Sequence, residues 1–528
     1  MPHDDQLPAS LHRPAALPDL LIRALDLHPD RPAVYLGDEV LTSRQLRDQI
    51  SRLVQAYSTW GISRGSPVGM LALNRPEVLM AMGANMVAGC RVTSLHPMGS
   101  LDDQAYVLED AGIETLIFDP ASFQERAGQL LERVPSLKRL LALGPTEVGE
   151  DLMETAAPYT PERLRPPDVS PDDVAGLAYT GGTTGKPKGV MGTYRSGATM
   201  AAIQMAAWEW PSETRFLICT PLSHAGAAFF VPTLLLGGSI VVLPGFDPAK
   251  VLETIERYRI TATMLVPTMV YALLDHPKLE STDLSSLETV FYGAAAMSPT
   301  RLKEGIERLG PIFFQYYGQA ECPMTITVLG KDEHDPADLE RLATCGRPVP
   351  WLDVALLDEQ GEEVPHGQPG EICVRGPLVM QGYWNKPEQT EETLAHGWLH
   401  TGDVARADSE GYLTIVDRKK DMIVSGGFNV FPREVEDVLG THPDVSAAAV
   451  IGVPDDKWGE AVKAVVVARP GATIDADALI ALVKERKGAV HAPKSVDVVD
   501  AIPVSPLGKP DKKALRARYW ADSERQVH

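Results

Sequence analysis

Short apolar runs alternate with amphipathic helical repeats through the first third of this chain, and that alternation narrows the fold more than any other feature. "LTSRQLRDQISRLVQAYSTWG" sets Leu46, Ile50, Leu53, Val54 and Tyr57 at helical spacing and stops at Gly61. "PVGMLALN" follows as a buried strand, and "RPEVLMAMGANMVAGCRVTSLHP" as an apolar helix running into a second strand. A strand–helix–strand rhythm implies a mainly parallel sheet, because a parallel neighbour is reached only by a crossover that packs a helix on the sheet face. A second α/β rhythm spans 174–340, after a connection rich in Pro, Glu and Asp at 140–172. From 343 to 417 the pattern shifts to short strands and turns ("VALLDEQGEEV", "GEICVRG", "GYLTIVD"), which predicts a small β-rich subdomain. Beyond Arg418 a separate α+β unit begins, with Pro432 in the first turn of the helix "PREVEDVLGTHP". The expected fold class is therefore α/β. A large N-terminal domain, 1–418, carries two α/β subdomains and the β-rich one, and a small C-terminal domain occupies 421–528.

A chain of 528 residues, 44% of them apolar, exceeds what one core fills. Its formal charge of −22, from 49 basic and 71 acidic residues, argues against a nucleic-acid partner. The five cysteines are scattered, with no CxxC spacing, and suggest neither a zinc site nor a disulfide framework; a reducing cytoplasm is the expected location. The N-terminus lacks a signal-peptide core, and the longest apolar stretch is cut by Pro232 and by Gly237-Gly238, so no transmembrane segment is expected.

The stretch "YTGGTTGKPKG", 179–189, carries the chemistry that opens the functional reading. It is not a Walker loop: three residues, not four, separate Gly181 from Gly185, and Pro187 stands where the magnesium-binding hydroxyl belongs. Gly181, Gly182 and Gly185 still let backbone N–H groups approach an anion, Thr180, Thr183 and Thr184 add hydroxyls, and Lys186 and Lys188 add charge. Taken alone, the stretch reads equally as a polyphosphate cradle or a surface turn.

With the rest of the chain, the sequence resembles the acyl-adenylate-forming enzymes, a family of acyl-CoA synthetases, aryl-CoA ligases, peptide-synthetase adenylation domains and beetle luciferases. The family loop is close to YTSGTTGxPKG, with Gly182 here in place of Ser. Further motifs follow in the family's order: "PLSHAGA" (221–227), "YGAAA" (292–296), "YYGQAE" (316–321, with Ala320 for the usual Thr), "GWLHTGDVA" (397–405), "VDRKKDMIVSGGFNVFPREVE" (416–436) and "PVSPLGKPDKKALR" (503–516). The whole chain is most similar to bacterial fatty-acid–CoA ligases.

The resemblance implies a two-step reaction: a carboxylate attacks the α-phosphate of ATP, releasing pyrophosphate, and a thiol then attacks the acyl-adenylate. It assigns Lys509 to bridging the carboxylate and α-phosphate, Glu321 to Mg2+, and His224 to the acyl carbonyl. Tyr317 and Gly318, with Gly293, Ala294 and Ala295, hold adenine; Asp403 and Arg418 hold the ribose. Lys420 is the hinge about which a mobile C-terminal domain turns to bring Ser425, Gly426 and Gly427 to CoA. "PLSHAGA" has no Asp to meet a substrate ammonium, which argues against an amino acid. The small residues at 293–296, with Met205, Trp208, Phe229 and Phe230 as apolar walls, favour an apolar acid, fatty first and aryl or cyclic second. Free CoA is the simplest acceptor; a partner carrier protein is the alternative, and a non-catalytic relative is the third reading.

Overall fold

The computed structural model describes residues 13–180, 186–418, 421–425, 428–455, 458–504 and 510–519. The helix Ser43–Thr59 shows how local sequence sets an element. Gln45 N–H donates to Thr42 Oγ1 at 3.2 Å while Thr42 N–H donates to Gln45 Oε1 at 2.8 Å, so two otherwise orphaned amides are capped. Its apolar stripe, Leu46, Ile50, Leu53 and Tyr57, is fully buried against the helix Pro76–Ala88.

Two large sheets form the N-terminal part. The seven-stranded one runs, in space, Glu150–Asp151, Arg139–Ala142, Thr115–Phe118, Pro67–Leu71, Arg91–Ser94, Val174–Thr180, Lys188–Thr193, and every pairing is parallel except the last. The nine-stranded one has a parallel centre of Phe313–Gln319, Thr289–Tyr292, Ala262–Leu265, Arg215–Ile218, Ser239–Val242 and Pro32–Leu36, with antiparallel edges. The sheets do not divide the chain where the sequence rhythm breaks. Pro32–Leu36 and Glu39–Thr42 cross into the second sheet, and Val174–Thr193 supplies two strands to the first. The expected boundary near 174 is thus corrected: the two sheets exchange strands, and one core cluster joins Leu21, Leu46 and Val68 to Phe216, Phe291 and Phe314.

The β-rich subdomain is a four-stranded antiparallel sheet of Asp353–Leu357, Gly370–Arg375, Leu399–Ala407 and Leu413–Arg418. The C-terminal unit has its own five-stranded sheet and its own core, including Ile423, Val435, Val450, Val462 and Leu479. Among the described residues no helix is long and apolar enough to cross a membrane.

Candidate active site

In open parallel sheets a ligand meets the loops beyond the C-terminal strand ends, where backbone amides and helix starts converge. The motifs fall there. His224 follows Arg215–Ile218, the 293–296 segment follows Thr289–Tyr292, and Tyr317 and Gly318 close Phe313–Gln319. From the other sheet come His96, just past Arg91–Ser94, and Thr180, which ends its strand paired with Lys188. That pairing sets the described residues on the two sides of the Gly/Thr stretch against each other. Residues 181–185 themselves, Gly181, Gly182, Thr183, Thr184 and Gly185, lie outside the described residues, as do Lys420, Gly426, Gly427 and Lys509.

Asn74 ties the two sheets together. Its Nδ2 donates to Thr220 O at 2.8 Å and its Oδ1 accepts from Leu222 N–H at 2.7 Å, fixing the loop that presents His224. The His224 ring meets His96 edge-to-face at 4.9 Å, and its Nδ1 lies 2.8 Å from Ser223 Oγ. Burial, and then the neighbouring His96, push the His224 imidazole down to about 4, so it is neutral at physiological pH. His96 Nδ1 accepts from Met98 N–H at 3.1 Å, which leaves the proton on Nε2. That nitrogen is buried without a partner among the described residues, a donor available beside His224.

Gly293 packs so tightly that a Cβ there would run into the Tyr316 carbonyl oxygen and lie 2.9 Å from its Cε2. Ala294 follows at φ 64°, and Ala294 is exposed while Ala295 is half-buried, so this segment offers backbone and small side chains at the surface. Behind it, Trp208 stacks on Tyr316 at 4.8 Å and lies 5.0 Å from Phe291. Phe229 stacks on Phe216 at 4.6 Å. Trp208, Phe229 and Phe230 are thus buried in an aromatic core that backs this segment, and Met205 is half-buried.

Tyr317 Oη donates to Asp403 Oδ2 at 2.7 Å, which joins the nine-stranded sheet to the β-rich subdomain. Burial, then the Asp403 charge, raise the Tyr317 phenol well above its ordinary range, keeping it a donor. Asp403 N–H donates to Thr401 Oγ1 at 3.1 Å, and Asp403 pairs directly with Arg418 across the Leu399–Ala407 and Leu413–Arg418 ladder. A carboxylate, a phenol and the backbone position of an arginine therefore share one place, from residues far apart in sequence.

Glu321 sits in the two-residue turn between Gln319 and Cys322. Tyr383 Oη donates to its Oε1 at 2.7 Å, and Lys188 Nζ stands 3.9 Å from the Tyr383 ring centroid. Tyr383 thereby connects Lys188, the first residue of its strand, to Glu321. Lys186 Nζ lies 4.8 Å from the Tyr106 ring, and Tyr179 Oη donates to Asp110 Oδ2 at 2.6 Å. Sequence reasoning missed Tyr383, His96 and Asn74. Tyr383 carries no local signal in "QGYWN", whereas "SLHP" at a strand end was a legible cue for His96.

In the C-terminal unit, Ile423–Ser425 and Phe428–Val430 pair antiparallel, with Ser425 opposite Phe428. Ser425 is buried. Val504 pairs with Pro510, which brings together the two ends of the segment containing Lys509.

This convergence of the strand pair flanking the Gly/Thr stretch, an acidic turn and a phenol–carboxylate pair at two sheets' C-terminal ends suits a nucleotide-dependent enzyme, and the chain belongs to the AMP-binding enzyme family. The family model for the AMP-binding enzyme matches residues 21–384, and that for its C-terminal domain matches 434–509. The chain is 58% identical, over 521 residues, to a medium/long-chain-fatty-acid–CoA ligase of Mycobacterium tuberculosis, covering 96% of this chain and 91% of that one. It is 38% identical to a feruloyl-CoA synthase of an Amycolatopsis species, covering 94% and 98%. Its fold superposes on the amide bond synthetase of Marinactinospora thermotolerans with a TM-score of 0.87, at 38% identity, covering 95% of this chain and 100% of that one.

Proposed function

We propose that this chain is an ATP-dependent acyl-CoA synthetase acting on an apolar, fatty carboxylic acid. The substrate carboxylate attacks the α-phosphorus of ATP, the bond to the β-phosphate oxygen breaks, and pyrophosphate leaves. The CoA thiolate then attacks the acyl carbon and AMP departs with the bridging oxygen. The observation that carries the reading is the Tyr317–Asp403 hydrogen bond with Arg418 in register beside it, with Glu321 four residues beyond Tyr317. Such a site gives a ribose two acceptor oxygens and a base an aromatic face. The similarity to a fatty-acid–CoA ligase over nearly all of both chains supports the acid and the thiol acceptor.

In this reading the neutral His224 and the Nε2–H of His96 face the acid's carbonyl. Lys186 and Lys188, both just after the Gly/Thr stretch, face the phosphates. Glu321, a hard carboxylate held by Tyr383, fits Mg2+, which would supply charge neutralisation at the phosphates. Lys509 delivers its ammonium to the carboxylate and α-phosphate, and the Ser425–Gly426–Gly427 segment later passes the thiol. Residues 1–418 and 421–528 act as two bodies hinged at Lys420, consistent with the separate C-terminal core.

A pyrophosphate-release screen over fatty, cyclic and aryl acids tests the proposal, with CoA and a carrier protein as alternative acceptors. Fatty acids are expected to give pyrophosphate, then AMP and acyl-CoA. Lys509→Ala is expected to slow adenylation by about three orders of magnitude, about 4 kcal/mol. If no acid releases pyrophosphate, the reading is wrong; adenylation without CoA turnover moves the acceptor to a carrier protein, the acceptor named for a 30% identical Streptomyces coeruleorubidus relative.

A further inference from the structure

Asp110 makes contacts that the adenylation reading leaves without a role. It is the last residue of the helix Leu101–Asp110, where the aligned carbonyls disfavour a negative charge, and the last turn of that helix holds no basic residue. Two phenols meet the carboxylate instead. Tyr179 Oη donates to Asp110 Oδ2 at 2.6 Å across 69 residues of sequence, and Tyr106 Oη, one turn back on the same helix, donates to Oδ1 at 3.4 Å. Burial, then the hydrogen bond to Asp110, raise the Tyr179 phenol above its ordinary range, so it stays a donor at physiological pH.

Both phenols lead to the described flanks of the Gly/Thr stretch. Tyr179 pairs across strands with Gly189, and Thr180 with Lys188. A Cβ at Gly189 would stand 3.0 Å from Tyr179 Cζ, so glycine is what lets the ring lie over the partner strand on its way to Asp110. A second route ties Gly189 to the same helix end: its carbonyl accepts from Trp384 N–H at 2.8 Å, and Trp384 Nε1 donates to Asp110 O at 3.0 Å. Tyr106 carries the third link, since the Lys186 ammonium stands 4.8 Å from its ring centroid. Tyr106, Tyr179 and Trp384 all pack on one core with Leu108 and Leu177.

We propose that Asp110 is a positioning residue for ATP: acting through Tyr179 and Tyr106, it fixes the strand ends that flank the Gly/Thr stretch and the direction of Lys186. The proposal rests on the adenylation reading, in which that stretch and Lys186 face the phosphates, and it adds a residue that acts on them through two others. Electrostatics alone gives the opposite sign. A carboxylate in this neighbourhood repels a polyphosphate, so deleting its charge should tighten ATP binding. Deleting an anchor of the phosphate-facing groups should loosen it. The direction of the change therefore separates a positioning role from a charge effect.

The test is initial-rate pyrophosphate release and calorimetric ATP binding on the full-length protein. The variants are Asp110→Asn, Tyr179→Phe, the double variant, and Glu109→Gln as a charge control at the exposed neighbour. Asp110→Asn keeps the side chain's shape and turns a charged acceptor into a neutral one. A hydrogen bond to a charged group sets the scale: KM for ATP is expected to rise about 10-fold, with kcat and KM for the acid within about twofold of wild type. Tyr179→Phe should give a similar rise, the double variant little more than either single one, and Glu109→Gln none. Thermal melting records whether each variant folds; if Asp110→Asn does not, Tyr179→Phe, which keeps both the carboxylate and the ring, decides. An unchanged ATP KM in Asp110→Asn, tightened ATP binding, or equal losses for ATP and acid overturn the proposal and leave the cluster a brace of the helix end. Wild-type protein that binds ATP but releases no pyrophosphate with any acid fails the adenylation reading instead, and the ATP affinity of Asp110→Asn still decides the role of Asp110. Absence of ATP binding in the wild type overturns both.

Discussion

Replacing Tyr383 with Phe separates two jobs that one side chain performs. The hydroxyl holds Glu321 at 2.7 Å, and the ring receives Lys188 at 3.9 Å. Phe keeps the ring and deletes the hydroxyl. A hydrogen bond to a charged acceptor is worth about 1.5 kcal/mol at the low end, which predicts a fall of about 12-fold in kcat/KM for ATP. Leu removes both contacts; adding about 0.8 kcal/mol for the cation–π term gives about 2.3 kcal/mol, or about 50-fold. The assay is initial-rate pyrophosphate release at saturating acid with ATP varied, on Tyr383→Phe, Tyr383→Leu, Glu321→Gln and the double variants. If Tyr383 acts through Glu321, Tyr383→Phe has almost no further effect in the Glu321→Gln background. Additive losses, or a Tyr383→Phe rate within twofold of wild type, would refute the reasoning that this tyrosine orients the carboxylate.

Three other outcomes are expected. Gly293→Ala must displace the Tyr316 carbonyl, next to Tyr317, at a cost of about 1–3 kcal/mol; urea unfolding and calorimetric AMP binding should both weaken. Tyr317→Phe strips a donor from Asp403 and should weaken AMP binding by about 1–3 kcal/mol while leaving pyrophosphate release detectable. His334 gives a pH signature: its Nδ1–H donates to Gly330 O at 2.6 Å, its Nε2 accepts from Tyr292 Oη at 2.9 Å, and burial holds it down to about 4. The unfolded histidine protonates as the pH falls through about 6.5 and the folded one only near 4, so stability drops across that window. Between pH 7 and pH 5 the loss is about 2 kcal/mol from this residue. Urea midpoints at the two pH values should show it, and His334→Gln should lack that component; an unchanged pH dependence in the variant would count against the assignment.

How much of this was readable beforehand varies with the range of the interaction. The helix Ser43–Thr59 and the strand Pro67–Leu71 follow from local period and capping, which a sequence displays directly. The β-rich stretch and the C-terminal unit were likewise visible as changes of rhythm. Glu321, Asp403 and Tyr317 stood in recognisable motifs, although nothing in those motifs said that Tyr317 donates to Asp403. The exchange of strands between sheets was hidden, because a strand's own residues encode its period but not which neighbour it pairs with.

By itself the sequence determined the alternating periods and the positions of the chemistry-bearing residues. Tertiary structure alone decided that Tyr383 spans Lys188 and Glu321 and that His96 meets His224. The reason is geometric. Periodicity is a property of neighbours along the chain, whereas each of these encounters depends on register and crossover between segments distant in sequence, which only the packed sheets fix.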